Sequence, residues 1–130
     1  MSTTIETLLT RNLHDVFGEP DPARRAAAIR ALYTPDSVFS DPHGRYVGHH
    51  ALEEAVTALH AKLPGHVFTV ISGPDVLRDS GRLAWAFGPP DDPRRVTGLD
   101  VVVVKDDRIA ALYTFLDAPA SEARDFGEAP

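Results

Sequence analysis

The sequence predicts an α+β fold in which helices from the first half of the chain pack on one face of an antiparallel sheet. Three helical patterns precede Gly65, and four consecutive strand patterns follow it. Helices followed by a run of strands are typical of α+β domains. With 130 residues, the chain has the size expected for one domain with one hydrophobic core.

The helices are predicted from apolar periodicity and from the residues that begin and end them. The first is expected over residues 4–17, because its apolar positions share one face and Gly18 follows as a stop signal. Asp21 is an N-cap residue for a second helix, which must end before Pro35. A third helix is expected over residues 50–63.

The strands are predicted from short runs of β-branched and aromatic residues bounded by turn residues. They are SVFSD (37–41), RYVG (45–48), HVFTVIS (66–72), RLAWAFG (82–88), VTGLDVVVV (96–104) and RIAALYTFL (108–116). The short connections DSG and KDDR are typical of antiparallel neighbours. The domain is therefore expected to cover residues 1–117, with residues 118–130 as a tail without periodicity.

Composition narrows the classes of function. The net charge is −6 and the basic residues are scattered, so nucleic acid is not an expected partner. No apolar run approaches the roughly 20 residues of a membrane helix, so no membrane partner is expected either. The amino-terminal residues do not have the pattern of a secretion signal. The absence of cysteine fits a reducing compartment, and we expect a cytoplasmic protein.

The strand GLDVVVV contains an acidic residue, Asp100, within a β-branched run. Aspartate is depleted in strands, and a buried carboxylate is costly unless it is paired or neutral. Neither face of this strand is otherwise polar, so Asp100 is expected in apolar surroundings that raise its pKa. Such a carboxyl can serve as a base or, when neutral, as a hydrogen-bond donor. The alternative is a buried acid with a purely structural role.

The turn KDDR predicts which residue faces Asp100 from the last strand. Pairing across this turn places Tyr113 opposite Asp100, and Phe115 opposite Gly98. Opposed residues point to the same face of a sheet. We therefore expect the Tyr113 side chain beside Asp100, where its hydroxyl would hold the carboxyl.

A second acidic residue, Asp41, ends the first strand pattern in the segment FSDPHG. Aspartate before proline is common in turns, so a turn residue is one interpretation. The other is a base at the wall of a pocket. His43, two residues later, is either a group that orients this base or a ligand, or an exposed loop residue.

Large aromatic residues are candidates either for the core or for the wall of a pocket. Phe39, Trp85 and Phe115 are the candidates for substrate contacts. No metal site is expected, because His50 and Glu54 lie one helical turn apart without an evident third ligand.

The order of these features resembles the nuclear transport factor 2-like superfamily, and more closely its ketosteroid-isomerase-like and polyketide-cyclase-like (SnoaL-like) branches. The resemblance covers residues 5–117. It is carried by the amino-terminal helices, by the Asp-Pro pair followed by a glycine and a helix, and by the Gly-x-Asp strand before the final hairpin. It implies a cone-shaped fold, in which a strongly curved sheet wraps around the helices and encloses an apolar pocket. It also implies a homodimer formed through the outer face of the sheet.

The isomerases of this superfamily use the acid before proline as general base and the mid-strand acid to stabilise an enolate oxygen. Asp41 and Asp100 match these two positions. The isomerases also place a tyrosine donor on the first helix, where this chain has Asn12, which makes Asn12 a candidate ligand contact.

The resemblance implies a cofactor-free isomerase, cyclase or lyase that removes a proton next to the carbonyl of a small apolar compound. The alternative is a non-catalytic module of the same fold that binds a small ligand or a partner chain. Epoxide hydrolysis is a third option, but it requires an arginine between the two acids, and no strand arginine fits that position.

Overall fold

The computed structural model describes residues 4–117 and confirms the α+β class. Its helices are α1 (Ile5–Arg11), a π-helical segment (Asn12–Phe17), α2 (Pro22–Leu32) and α3 (Gly48–Lys62). Its strands are β1 (Tyr33–Asp41), β2 (Gly44–Val47), β3 (Val67–Leu77), β4 (Ser80–Gly88), β5 (Val96–Lys105) and β6 (Arg108–Leu116). The expected tail, residues 118–130, lies outside the described residues.

The first helix has the expected extent but not a uniform geometry. It is α-helical as far as Arg11 and π-helical from Asn12 to Phe17. The wide turn ends where the Gly18 N–H donates to the Leu13 carbonyl, five residues back, at 2.8 Å. A Cβ at position 18 would lie 2.9 Å from that carbonyl oxygen, so glycine is the residue that closes this turn without a clash.

The sheet is mixed, whereas the sequence predicted an antiparallel one. Its strand order is β2-β1-β6-β5-β4-β3, and every neighbouring pair is antiparallel except β1 and β6, which are parallel. The β1–β2 hairpin forms one part of the sheet, and the antiparallel run from β3 to β6 forms the other. The two parts meet along β1 and β6. No local sequence signal identifies that long-range pair.

The predicted register between β5 and β6 is wrong beyond the turn. The pairing of Lys105 with Arg108 is as expected, but a β-bulge between Val103 and Val104 shifts the following pairs by one residue. Asp100 consequently faces Thr114 rather than Tyr113. A one-residue shift moves a side chain to the opposite face of the sheet.

Tyr113 and Phe115 therefore lie on the outer face of the sheet, and the expectation that they contact Asp100 or a substrate in the pocket is wrong. Tyr113 pairs with Val101 and is 43% exposed, and Phe115 pairs with Leu99 and is 57% exposed. Both side chains point away from the helices that cover the inner face.

The hydrophobic core lies between the helices and the inner face of the sheet. Its most deeply buried apolar side chains are Leu8, Leu9, Leu13, Val16, Ile29, Leu32, Tyr33, Leu52, Val56, Leu83, Phe87, Val102, Ile109 and Leu112. Trp85 and Phe39 extend this core toward the open end of the fold, where the cavity described below begins.

Candidate active site

A cavity of about 440 Å³ opens between α3, the π-helical segment and the inner face of the sheet. Its volume is within the range of small-molecule sites, roughly 300–1,000 Å³. The residues that line it are mostly apolar, with a few acidic and polar groups: Leu13, Phe17, Phe39, Asp41, His43, Tyr46, Ala51, Glu54, Ala55, Ala58, Leu59, Lys62, Phe68, Trp85, Asp100 and Thr114.

Asp100 is a buried carboxyl in the wall of this cavity, with 4% of its surface exposed. One of its oxygens, Oδ1, accepts two hydrogen bonds, from Trp85 Nε1 at 3.0 Å and from Thr114 Oγ1 at 2.8 Å. Because both donors use Oδ1, a proton on this carboxyl would be carried by Oδ2.

Burial raises the pKa of Asp100 from its usual value of 3.8 to about 6, and the hydrogen bonds from Thr114 and Trp85 oppose part of that rise. At pH 7 a carboxyl with this pKa is protonated in about one molecule in ten. Both protonation states are therefore accessible near neutral pH, and a modest further loss of hydration favours the neutral form.

Gly98 makes the contact between Trp85 and Asp100 possible. Trp85 of β4 pairs with Gly98 of β5, and the indole ring lies across the glycine. A Cβ at position 98 would come within 2.7 Å of Trp85 Cη2 and within 2.7 Å of the Phe115 carbonyl oxygen. The Gly-x-Asp pattern therefore has a physical reason: the glycine admits the ring whose N–H reaches the carboxyl two residues further on.

Asp41 has the geometry of a turn residue and also lies at the wall of the cavity. Its Oδ1 accepts hydrogen bonds from the backbone N–H groups of His43 at 2.8 Å and Gly44 at 3.1 Å, which is the geometry of a turn residue. It also lines the cavity, because it lies two positions after Phe39 on the same face of β1. The turn holds the carboxylate in a fixed position at the cavity wall.

Aromatic rings form a continuous arc on the cavity wall. Phe17 contacts Phe39 edge to face with ring centroids 5.3 Å apart, and it contacts Phe68 at 6.4 Å. Phe39 stacks on Tyr46 at 5.4 Å, and Phe68 meets Trp85 edge to face at 5.3 Å. These mutual contacts fix the rings in place, so the apolar part of the cavity is shaped before any ligand arrives.

A second buried polar pair lies deeper in the core. The Tyr33 hydroxyl donates to Asn12 Oδ1, and both side chains are fully buried. Burial raises the pKa of Tyr33 well above its usual value, and the negative charge of Asp100 adds to this effect. Within residues 4–117, the lining of the cavity does not include Asn12, so its predicted role as a direct ligand contact is not supported by its position.

The structure brings most of the predicted site residues to one cavity, namely Phe39, Asp41, His43, Trp85 and Asp100. It leaves Tyr113, Phe115 and Asn12 elsewhere. Sequence reasoning missed Thr114, which occupies the place predicted for Tyr113. The alternation of Leu112, Thr114 and Leu116 in β6 would have identified it once the register was known.

Two observations concern other classes of site. Over residues 4–117, no group of three or more histidine, cysteine or acidic side chains is arranged to hold a metal ion. None of the helices in that same range is both long enough and apolar enough to cross a membrane.

Comparison with known protein families gives one match over most of the chain. The family model described as a SnoaL-like domain matches residues 10–112. The chain therefore belongs to the SnoaL-like family, as its sequence features predicted. Comparison with curated proteins finds no match.

Solved structures share this fold over nearly their whole length. A proposed isomerase of the SnoaL-like family from Agrobacterium tumefaciens str. C58 is 26% identical, with a TM-score of 0.80, and the match covers 86% of this chain and 96% of that one. A proposed SnoaL-like polyketide cyclase from Jannaschia sp. CCS1 is 14% identical, with a TM-score of 0.74, covering 100% and 99%. A protein with a ketosteroid isomerase-like fold from Catenulispora acidiphila DSM 44928 is 12% identical, with a TM-score of 0.71, covering 97% and 96%.

Proposed function

We propose that this protein is a cofactor-free enzyme of the isomerase, cyclase or lyase type, which moves a proton next to the carbonyl group of a small apolar compound. One observation carries the proposal: a buried carboxyl with a pKa near 6, Asp100, shares the wall of an apolar cavity with a second carboxyl, Asp41. The names of the SnoaL-like relatives, which suggest isomerase and cyclase activities, agree with it.

The different surroundings of the two carboxyls suggest different roles. Asp41 is only partly buried and accepts two backbone N–H hydrogen bonds. Asp100 is buried, which favours its neutral form. Two carboxyls in such different environments are candidates for separate base and acid roles.

In the proposed reaction, Asp41 removes the proton from the carbon next to the carbonyl, and the C–H electron pair becomes the C=C bond of an enolate. The Asp100 Oδ2–H donates a hydrogen bond to the carbonyl oxygen as it gains negative charge. Asp41 then returns the proton to another carbon as the C=O bond re-forms. In a cyclisation, the enolate carbon instead attacks a second carbonyl carbon of the same molecule, the C=O π bond there breaks, and its oxygen takes the proton from Asp41. An apolar ligand that displaces water raises the fraction of neutral Asp100, because burial is the main cause of its raised pKa.

Deuterium exchange into β-tetralone, an apolar bicyclic ketone with acidic protons beside its carbonyl, tests the proposal. In D₂O the wild-type protein is expected to accelerate exchange, and Asp41→Asn is expected to lose about 10²–10⁴ of the rate. Asp36→Asn is the matched control, because Asp36 is an exposed acid on the same strand. Equal rates for Asp41→Asn and the wild type would exclude Asp41 as the base.

The pH profile tests the role of Asp100. If its neutral form is required, kcat/KM for exchange falls as pH rises through about 6. Asp100→Asn retains an N–H donor but has no ionisable group, so its profile is expected to lose that descending limb. A rate that instead rises through pH 6 and disappears in Asp100→Asn would assign Asp100 as the base.

Binding separates this function from the non-catalytic alternative. Trp85, the only tryptophan in the chain, lines the cavity, so its fluorescence reports occupancy. β-Naphthol, a flat analogue of the enol of β-tetralone, is expected to change this fluorescence in the wild type and in Asp41→Asn alike. Binding of β-naphthol without any wild-type acceleration of exchange would favour a ligand-binding module.

We also propose that two copies of the chain associate through the outer face of the sheet. Tyr113 and Phe115 project from this face, and Leu99, Val101 and Val103 of the neighbouring strand lie beside them, partly buried. An exposed apolar surface of this kind on a sheet is typical of an interface.

A further inference from the structure

Helix α3 forms one wall of the cavity, and a histidine side chain fixes each of its ends. Near its start, His49 Nε2 lies 3.1 Å from the Tyr33 carbonyl oxygen and 3.0 Å from that of Thr34. Near its end, His60 Nε2 lies 2.7 Å from the Phe17 carbonyl oxygen. Carbonyl oxygens only accept hydrogen bonds, so Nε2 carries the hydrogen in both histidines.

The partner of His60 is the last residue of the π-helical segment. The final carbonyl groups of a helix have no partner within that helix. The chain after Phe17 continues through Gly18 and Glu19 to Pro20, which has no N–H to offer. The imidazole of His60 reaches across from α3 and satisfies this carbonyl.

This hydrogen bond joins two opposite walls of the cavity. On one side are Leu13 and Phe17 of the π-helical segment, and on the other are Ala55, Ala58 and Leu59 of α3. Phe17 carries the carbonyl group that accepts the hydrogen bond, and Leu59 directly precedes His60. The distance between the two walls at this end of the cavity therefore depends on this hydrogen bond.

We propose that His60 is a positioning residue that fixes the width of the cavity, and with it the size of ligand that the cavity accepts, by holding α3 against the carbonyl group of Phe17. The proposal requires the cavity to be a ligand-binding site, but it does not depend on proton transfer by Asp41 or Asp100. Loss of the bond lets the walls separate, so a large ligand gains space and a small ligand loses contacts.

The test compares the dissociation constants of β-naphthol, with two rings, and β-anthrol, with three, measured by the fluorescence of Trp85 in the full chain. For His60→Leu, which cannot donate, the preference is expected to move toward β-anthrol by roughly tenfold, the effect of a small change in the fit of an apolar pocket. His60→Gln, whose amide can donate to the same carbonyl, is expected to retain most of the wild-type preference.

The control is His14→Gln, because His14 is an exposed residue of the π-helical segment and is not among the described residues that line the cavity. This variant is expected to match the wild type. A folded His60→Leu protein with the wild-type ratio of dissociation constants would overturn the proposal. So would a His60→Gln protein whose ratio shifts as far as that of His60→Leu.

A second variant keeps the proposal testable if His60→Leu does not fold. Gly18→Ala leaves His60 in place but brings a Cβ within 2.9 Å of the Leu13 carbonyl oxygen, so the turn that carries Phe17 must shift. The ratio of the two dissociation constants of Gly18→Ala is expected to shift in favour of β-anthrol as well. An unchanged ratio in folded Gly18→Ala would contradict the claim that the position of Phe17 sets the width of the cavity. Neither result depends on whether the protein exchanges β-tetralone protons.

Discussion

The proposed chemistry of the site depends on one carboxyl, Asp100, whose surroundings have opposite effects on its pKa. Burial raises its pKa, whereas the hydrogen bonds from Thr114 and Trp85 lower it again. The resulting pKa of about 6 allows Asp100 to exchange protons near neutral pH. Without the two donors the pKa of this carboxyl would be higher, and without burial it would be lower.

Removal of one donor should therefore move this balance in a known direction. Thr114→Val keeps the shape of the side chain but removes the hydroxyl that donates to Asp100 at 2.8 Å. The pKa of Asp100 is expected to rise above about 6, because this bond stabilises the charged form. Carboxyl ¹³C chemical shifts followed during a pH titration measure it.

Thr69→Val is the control for that experiment, because Thr69 is an exposed residue on β3, remote from the carboxyl. It is expected to leave the titration of Asp100 unchanged. A Thr114→Val protein in which the pKa of Asp100 falls would show that the hydroxyl does not stabilise the carboxylate.

For individual residues, the sequence predicted the two acids but not the neighbouring side chain that each would contact. An aspartate within a β-branched strand is conspicuous, and Asp41 is marked by the proline that follows it. Thr114 is not conspicuous, because its role depends on a one-residue bulge that leaves no strong local signal in RIAALYTFL. The same bulge made the predicted roles of Tyr113 and Phe115 wrong.

Among the described elements, α3 supplies the largest number of residues that line the cavity, and α2 packs against α3. Arg25 of α2 is buried and bonds to three groups: the Glu53 carboxylate at 3.2 Å, the Thr57 hydroxyl at 2.7 Å and the Glu19 carbonyl oxygen at 2.7 Å. Glu53 and Thr57 lie one turn apart on α3, so one guanidinium orients a full turn of that helix.

Arg25→Ala is expected to destabilise the protein by about 3 kcal/mol, because it removes one partner of a largely buried ion pair and leaves the other without compensation. Urea unfolding followed by circular dichroism measures the change. Arg24→Ala is the matched control, since Arg24 is the preceding, exposed residue of the same helix, and it is expected to change stability by less than about 0.5 kcal/mol. Equal losses in both variants would contradict this role of Arg25.

The extents of the elements were largely predictable, because they depend on local signals. The Asp21 cap of α2 is confirmed, and β6 has the predicted bounds. The parallel pairing of β1 with β6 was not predictable in this way, because it joins segments about 70 residues apart through contacts that form only in the folded chain. The π-helical segment was also missed, since apolar spacing alone does not distinguish it from an α-helix.

For the whole molecule, the outer face of the sheet determines the expected assembly. Phe115 is 57% exposed and belongs to β6, an inner strand that lies between β1 and β5 in the sheet. Phe115→Glu places a charge on this face and is expected to convert a homodimer into a monomer, since burying an unpaired charge in an interface is costly. Sedimentation equilibrium measures the mass in solution.

Leu77→Glu is the control for the assembly, because Leu77 is 74% exposed at the end of the edge strand β3 rather than on an inner strand. It is expected to leave the dimer intact. A wild-type protein that sediments with the mass of one chain, 14.1 kDa, would contradict the proposed assembly.

The proposed function requires Asp100 to be a proton-exchanging carboxyl inside a ligand cavity. Titration of its ¹³C carboxyl signal with and without β-naphthol tests this requirement most directly. The free protein is expected to show a pKa near 6, and saturation with β-naphthol is expected to raise it, because the ligand displaces water from the cavity. A pKa close to 3.8 that does not change with β-naphthol would contradict the account.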